Sequence, residues 1–199
     1  MTEGISLGWN CSSAVYGVSS GIRNTKQNGY KTCPFDEMIT NYKGIVDCIM
    51  DDFKYFYDTN YLELITRSDG DILIYNNKYK FLFNHESPGH GDLYITQNWE
   101  KGINHYIVND YEEFKNRYNR RIQNFKNLLN SSKVITFILT RPNTHEMCDI
   151  NDLNNALLCK YPFLHFNFVF RDCCKYYYYE HLLIMKVDEN EDEIKRLCI

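Results

Sequence analysis

The chain has 199 residues, of which 44% are hydrophobic and 16% aromatic, and its 22 basic and 26 acidic side chains give a formal charge of −4. This composition excludes disorder and collagen-like repeats, and it predicts one globular domain over residues 1–199 with an acidic tail from about residue 188. No apolar run approaches the roughly 18 residues of a membrane helix. Because a secretory signal is also lacking, we expect a cytoplasmic protein with no membrane partner. The mild negative charge disfavours nucleic acid as a partner.

The eight cysteines form neither a CxxC pair nor the Cys/His spacings of a structural zinc site. Without an export signal, we expect most of them to be reduced thiols, several acting as small buried hydrophobic residues. The sequence also contains neither a Walker loop nor a complete GxGxxG motif. We therefore predict no metal site and no cofactor.

Hydrophobic periodicity in the first half of the chain predicts alternating strands and helices. An apolar stretch at 4–8 precedes Asn and Ser residues that favour helix starts, which indicates a strand, a tight turn and a helix. Between residues 41 and 58, apolar residues recur every three or four positions and predict one amphipathic helix. Strands are expected at 72–75 and 79–83, joined as a hairpin by an Asn-Asn turn.

The second half of the chain continues this alternation. Its best-defined helix runs from about 110 to 130 and precedes a β-branched run at 133–139, which is apolar on both faces, as in a covered central strand. A helix is predicted at 149–160, and strands are predicted at 165–170 and 181–187. Helical segments of this length between strands favour a three-layer α/β sandwich with a mixed, mostly parallel sheet flanked by helices.

Cys11 is the first candidate for chemistry. The pattern places it at the start of the helix that follows the first strand, near backbone N–H groups and the positive end of the helix dipole. This environment favours the thiolate, which is the form that attacks a carbonyl, and the same N–H groups are suitable donors to an oxyanion. The alternative is a small buried residue that packs the helix onto the sheet.

His85 is the candidate general base. It follows an apolar strand and opens the segment 84–108, whose lack of periodicity is typical of a binding or lid element. A neutral imidazole there would take a proton from Cys11 and return it to a leaving group. The alternatives are that His85 is a surface histidine, or that His90 is the base instead.

An acid that orients the imidazole would complete a set of nucleophile, base and orienting group. Asp36, at the end of the sequence Cys-Pro-Phe-Asp, is one candidate, although an aspartate before a helix can also cap the segment or orient nearby backbone. Glu86 and Asp92 are closer to histidines in the sequence and compete for the same role. The spacing does not rank the three.

Three arginines form the last candidate site. Arg117, Arg120 and Arg121 share one face of the helix predicted over 110–130, since they are three and four residues apart. Together they would hold a phosphate or a carboxylate. A solvated face with local ion pairs is the commoner explanation of such a group.

Several of these motifs occur together in one known family. The segments ISLGWNCSSA at 5–14, PFD at 34–36, FNH at 83–85 and YNRRI at 118–122 resemble the DUF1796 family of bacteria and some large DNA viruses, described as papain-like cysteine peptidases of unknown function. The resemblance covers residues 5–139. It implies that Cys11 is the nucleophile and His85 the base. The chain departs from the family pattern at two positions: it has Glu37 where the family has Trp, and Glu86 where the family has Asp.

We therefore predict a cysteine-nucleophile hydrolase, peptidase-like or isopeptidase-like, that cleaves an amide or thioester bond in a protein or peptide substrate. Cys11 would be the nucleophile, His85 the base, and Asp36 or Glu86 the orienting acid. A viral source would place the protein in the host cytoplasm. Two alternatives remain open: a non-catalytic α/β binding module or effector that holds an anionic ligand, and a sugar- or nucleotide-dependent transferase.

Overall fold

The protein is represented by a computed structural model, which describes residues 2–8, 10–66, 72–86, 110–140, 146–171, 177–179 and 182–186. Its four described α-helices are α1 (Ser12–Ser19), α2 (Tyr42–Met50), α3 (Glu112–Leu129) and α4 (Glu146–Lys160). Its strands are β1 (Thr2–Ser6), β2 (Leu62–Thr66), β3 (Ile72–Asn76), β4 (Phe81–Phe83), β5 (Val134–Thr140), β6 (His165–Arg171), β7 (Tyr177–Tyr179) and β8 (Leu182–Lys186).

The larger sheet has five strands in the order β1, β5, β6, β8, β7. The first four strands run parallel, and β7 is antiparallel to β8. The register places Phe137 of β5 opposite both Ile5 of β1 and Phe168 of β6. All three side chains are fully buried, so β5 is the covered central strand that its apolar sequence predicts.

Helices cover both faces of this sheet. Phe137 belongs to the main hydrophobic core, which also contains buried side chains of α2, α3 and α4. The next residue, Ile138, points to the opposite face because side chains alternate along a strand. There it meets Gly17 of α1, where an added Cβ would lie 2.4 Å from Ile138 Cδ1. The predicted three-layer α/β fold with a mixed, mostly parallel sheet is therefore confirmed.

A second, antiparallel sheet consists of β2, β3 and β4. The predicted hairpin is present as β3 and β4, with Ile74 opposite Phe83. Strand β2 was not predicted from the sequence. Its sequence, Leu-Glu-Leu-Ile-Thr, alternates apolar and polar residues only over the first three positions, and both Glu63 and Leu64 are exposed.

The helix predicted over 41–58 is too long, since α2 ends at Met50. Asp52 and Phe53 have positive φ angles, and the Phe53 N–H donates to the Cys48 carbonyl at 2.9 Å, as in a helix-terminating Schellman motif. Phe53 and Phe56 are nevertheless buried. The apolar spacing was therefore a correct guide to burial and a wrong guide to backbone conformation.

The other predicted elements are present with shifted ends. The first strand lies two residues earlier than predicted, and α4 begins three residues earlier. The predicted acidic tail from 188 and the segment 87–108 lie outside the described residues. In the described part of the chain, none of the helices has the length and apolar character needed to cross a membrane.

Phe35 is the centre of an aromatic cluster in the main core. Its ring lies 5.7 to 6.3 Å, centroid to centroid, from four other phenylalanine rings and is fully buried. Such aromatic contacts add to the free energy gained by removing the ring from water. Phe35 therefore fixes the 3₁₀ helix Pro34–Glu37 against the turn that follows α2, against α3 and against β4. The four partner rings are Phe53, Phe56, Phe81 and Phe125.

Phe35→Ala is expected to lower the free energy of unfolding by about 3 to 5 kcal/mol, because it leaves a cavity among these rings. Phe163→Ala is the matched control, since Phe163 is 91% exposed and should change stability by no more than about 0.5 kcal/mol. Urea denaturation followed by circular dichroism measures both. Equal losses in the two variants would contradict the central position of Phe35.

Candidate active site

The turn between β1 and α1 places Cys11 at the start of a helix. Gly8 has φ +94°, and a Cβ at this position would lie 1.8 Å from Thr40 Oγ1, so only glycine fits. Cys11 is the N-cap residue of α1 and is half-buried. Its thiol therefore lies at the positive end of the helix dipole, as the sequence predicts.

Hydrogen bonds within the turn hold this start of the helix. Asn10 Oδ1 accepts from the Ser12 N–H at 2.9 Å, and the hydroxyl of Ser13 donates to the Gly8 carbonyl at 2.7 Å. The Thr40 hydroxyl donates to the Leu7 carbonyl at 3.2 Å. The backbone on both sides of Cys11 is consequently fixed, and a fixed backbone favours a defined position for a nucleophile.

Asp36 is buried in the 3₁₀ helix and accepts three hydrogen bonds. Arg23 Nη1 donates to Oδ1 at 2.7 Å, and both the Tyr30 hydroxyl, at 2.9 Å, and the Cys33 N–H, at 2.8 Å, donate to Oδ2. The Arg23 guanidinium also lies over the Tyr30 ring at 4.3 Å. Asp36 thus joins the loop that follows α1 to the 3₁₀ helix.

A short backbone pairing brings this 3₁₀ helix next to His85. Ile39 and Leu82 form an antiparallel bridge in which each N–H donates to the other's carbonyl at 2.9 Å. In an antiparallel bridge, the residue two positions before one partner lies close to the residue two positions after the other partner. Glu37 precedes Ile39 by two residues, and His85 lies in the 3₁₀ helix Asn84–Glu86 that follows β4. The two side chains therefore come from adjoining backbone segments.

Cys11, Asp36 and His85 line one cavity of about 630 Å³. We call it the thiol cavity. One wall is the exposed side of α1, and the remainder comes from the loop after α1 and from the two 3₁₀ helices. Of the four predicted catalytic residues, Glu86 alone is not among the lining side chains. The complete lining is Cys11, Ala14, Val15, Val18, Ser19, Arg23, Thr25, Lys26, Gln27, Asp36, Glu37 and His85.

Glu37 is a carboxylate of the thiol cavity whose pKa lies well below its ordinary value. Burial would raise its pKa, but the positive charges of Arg121, Lys26 and His85 outweigh burial and lower the pKa to about 2. Glu37 forms ion pairs with both Arg121 and Lys26. It is therefore ionised at neutral pH and lies within electrostatic range of His85.

Glu86 is buried next to α3 rather than in the thiol cavity. Arg117 Nη1 lies 3.4 Å from Glu86 Oε1, and the charge of Glu86 also acts on Tyr118 and Arg121. Burial would lower the pKa of Arg121, but Tyr118, Glu37 and Glu86 raise it above its ordinary value, so the guanidinium keeps its charge. These contacts hold α3 against both 3₁₀ helices.

The three predicted anion-binding arginines lie together in a second cavity of about 690 Å³. We call it the basic cavity. Lys26 lines it as well as the thiol cavity, so the two cavities are neighbours. The residues of the basic cavity are Lys26, Lys31, Thr32, Arg117, Arg120, Arg121 and Asn124.

Comparison with known proteins identifies the family. The family model described as "Putative papain-like cysteine peptidase (DUF1796)" matches residues 2–174. The chain belongs to this family. The comparison with curated proteins and the comparison with solved structures each found no match. The DUF1796 description supports a cysteine hydrolase at the coarse level, with a protein as the class of substrate.

Among the described thiols of this DUF1796 chain, Cys11 alone lines the thiol cavity. Burial raises the pKa of Cys33 and of Cys48 well above the ordinary thiol value, which favours their unreactive thiol forms. Cys159 is exposed on α4. Within the ranges that the structure describes, no group of three or more His, Cys, Asp or Glu side chains is arranged to hold a metal ion.

Sequence reasoning missed Glu37 as a residue of this site. The only signal was that Glu37 departs from the family pattern, where Trp follows Pro-Phe-Asp. Its proximity to His85 depends on the bridge between Ile39 and Leu82, whose partners are far apart in the sequence. Such a pairing has no local sequence signature. The competing candidates His90 and Asp92 lie outside the described residues.

Glu37→Gln is expected to lower the free energy of unfolding at pH 7 by about 2 to 3 kcal/mol, because the native pKa of about 2 lies well below the ordinary value of 4.5. This stabilisation is complete above pH 4.5 and is lost as the pH falls toward 2. The difference between wild type and variant should therefore shrink to about 1 kcal/mol at pH 3.

Urea denaturation at pH 7 and at pH 3 measures this difference. Glu63→Gln on the exposed side of β2 is the control and should have little effect at either pH. A Glu37→Gln difference that is the same at both pH values would contradict the low pKa.

Proposed function

We propose that this protein hydrolyses an amide, isopeptide or thioester bond of a protein or peptide through a Cys11 nucleophile and a His85 acid–base group. One observation carries the proposal: a thiol at the N-cap of α1 lines the same cavity as a histidine. A helix N-terminus favours the thiolate, and an adjacent imidazole is the usual partner of a nucleophilic cysteine.

The reaction begins with attack of Cys11 Sγ on the substrate carbonyl carbon. The carbonyl electrons move to oxygen and return as the carbon–nitrogen bond breaks, and the His85 imidazolium gives its proton to the leaving amine. A thioester on Cys11 results. Water then gives a proton to His85 and attacks the thioester, which releases the carboxylic acid and restores the thiolate of Cys11.

Backbone N–H groups at the start of α1 are the proposed donors to the oxyanion. The first N–H groups of an α-helix point toward its N-terminus, and their partial positive charge favours an anion at that end. Because Cys11 is the N-cap residue, an oxygen on the carbon attacked by Sγ would develop its charge close to them. Fixed donors of this kind stabilise the transition state without reorganising during the reaction.

Three carboxylates are candidates for positioning His85. Both oxygens of Asp36 and both oxygens of Glu37 already accept hydrogen bonds, and Glu86 lies against Arg117. Glu37 lines the thiol cavity, and its pKa is affected by the charge of His85. We therefore favour Glu37 as the positioning residue, with Asp36 and Glu86 as the alternatives predicted from the sequence.

The exposed side of α1 suggests what the substrate presents beside the cleaved bond. Ala14, Val15 and Val18 line the thiol cavity, and Val15 is 43% exposed. An apolar substrate side chain placed on this wall would remove Val15 from water. We therefore expect an apolar residue close to the bond that Cys11 attacks.

Alkylation with iodoacetamide at pH 6 tests the nucleophile. We expect Cys11 to react at least about tenfold faster than Cys159, because the helix N-terminus and His85 both favour its thiolate. Peptide mapping by mass spectrometry measures both rates in the same sample, so the exposed Cys159 is an internal control. His85→Ala should remove most of the difference, and Glu37→Gln should move the pH profile of Cys11 alkylation.

Acyl transfer is tested separately with p-nitrophenyl acetate. The proposal predicts an initial burst of nitrophenolate and an acetyl group on the peptide that contains Cys11, neither of which occurs in Cys11→Ala. Equal, slow alkylation of Cys11 and Cys159, with no acetylation of Cys11, would contradict a hydrolase and favour a binding module.

A further inference from the structure

The basic cavity is a concentration of positive charge that the proposed chemistry at Cys11 leaves unexplained. Five of its seven lining residues are lysines or arginines, and none is acidic. In the part of the chain that the structure describes, Glu37 and Glu86 are paired with these cations, and neither carboxylate lines the basic cavity. An excess of positive charge therefore remains at this surface of a chain whose formal charge is −4.

The cavity is built from fixed parts rather than from mobile surface side chains alone. Arg121 is only 7% exposed, and its Nη1 has no hydrogen-bond partner among the described residues. Asn124 Nδ2 donates to the Thr32 carbonyl at 3.0 Å and so joins α3 to the loop on the far side of the cavity. A buried guanidinium N–H without a hydrogen-bond acceptor lowers the free energy of unfolding, and a bound anion would remove this cost.

The charges on α3 are spaced to bind several anionic oxygens at once. Arg117, Arg120 and Arg121 lie on one helix face, and Lys26 and Lys31 come from the opposite side of the cavity. Arginine donors form paired hydrogen bonds with carboxylate or phosphate oxygens. The five cations less the two paired carboxylates, Glu37 and Glu86, leave three positive charges, so the expected ligand carries a multiple negative charge.

The position of this cavity links it to the proposed reaction. Lys26 lines both cavities, and Glu37 of the thiol cavity is paired with Arg121 of the basic cavity. A chain lying with one residue at Cys11 would therefore reach the basic cavity within a few residues, since an extended chain advances about 3.3 Å per residue.

We propose that the basic cavity binds an anionic segment of the polypeptide substrate, made of carboxylate or phosphoryl side chains, next to the bond attacked by Cys11. The proposal rests on the proposed hydrolase function for the placement of that bond. Charge steering of this kind raises the rate of encounter and selects among substrates, and salt weakens it. The proposed substrates are therefore acidic or phosphorylated peptides that place an apolar residue at the thiol cavity.

Binding is measured with the 199-residue Cys11→Ala chain, which lacks the proposed nucleophile and so does not turn over its ligand. The probes are fluorescein-labelled peptides of equal length that share one apolar residue and carry glutamate, phosphoserine or glutamine at the same neighbouring positions. Fluorescence anisotropy at low and at physiological salt gives the affinities. We expect the glutamate or the phosphoserine peptide to bind at least about tenfold more tightly than the glutamine peptide, with a difference that shrinks as salt is added.

Charge removal locates the binding. Arg120→Gln combined with Lys31→Gln takes two exposed cations from the basic cavity and leaves the thiol cavity intact, so the protein should remain folded. We expect this double variant to bind the anionic peptides roughly tenfold more weakly. Lys160→Gln, an exposed residue at the end of α4, is the matched control and should change the affinity by less than about twofold.

Protection of Cys11 shows whether one chain spans both cavities. In the wild-type protein, the anionic peptide should slow alkylation of Cys11 by iodoacetamide several-fold and leave Cys159 unaffected, and the basic-cavity double variant should lose this protection. Inorganic pyrophosphate is expected to bind in the basic cavity without covering Cys11, so it should compete with the peptide and restore alkylation. The tighter of the two anionic peptides identifies carboxylate or phosphoryl as the preferred group.

Equal affinity for the glutamate, phosphoserine and glutamine peptides would overturn the proposal, as would anionic binding that Arg120→Gln with Lys31→Gln leaves unchanged. Binding at the basic cavity without protection of Cys11 would also overturn it, because the two cavities would then serve separate ligands. An unreactive Cys11 in the peptide-free protein would instead refute the hydrolase function, so the two failures are distinguishable.

Discussion

The site depends on the pairing of two adjacent residues, Ile39 and Thr40, with two distant parts of the chain. Ile39 exchanges backbone hydrogen bonds with Leu82, which holds the 3₁₀ helix of Glu37 beside the strand that ends before His85. Thr40 donates to the Leu7 carbonyl and fills the space that a side chain at residue 8 would need. A few backbone contacts thus place a thiol, an imidazole and a carboxylate around one cavity.

Helix α3 connects this arrangement to the charges around it. Arg121 forms an ion pair with Glu37, which precedes Ile39, and Arg117 lies beside Glu86, which follows Leu82. The helix therefore contacts the segments on either side of the Ile39–Leu82 bridge. The same face presents its remaining donors to the basic cavity. A buried ion pair adds little stability relative to well-packed apolar residues, but removing one of its partners is strongly destabilising. The arginines therefore hold Glu37 and Glu86 in place and also supply positive charge to the basic cavity. The two explanations offered by the sequence, a solvated face or an anion site, each describe only one of these roles.

Local patterns predicted the parts of the molecule that local physics determines. The apolar stretch followed by Asn and Ser residues was enough to predict a cysteine at a helix start, and the β-branched run predicted the central strand. The end of α2 was missed because Phe53 and Phe56 are buried by a turn that has the same apolar spacing as a helix. Glu37 was missed because its position next to His85 comes from the tertiary pairing of residues 39 and 82.

The central claim is that Cys11 and His85 form a thiolate–imidazolium pair in the thiol cavity. Titration of the His85 ring by NMR tests this claim most directly. The account predicts that the ring stays protonated to a higher pH in the wild-type protein than in Cys11→Ala, because the thiolate stabilises the imidazolium. A shift of at least about half a pH unit is expected. Identical titration curves in the two proteins would contradict the account.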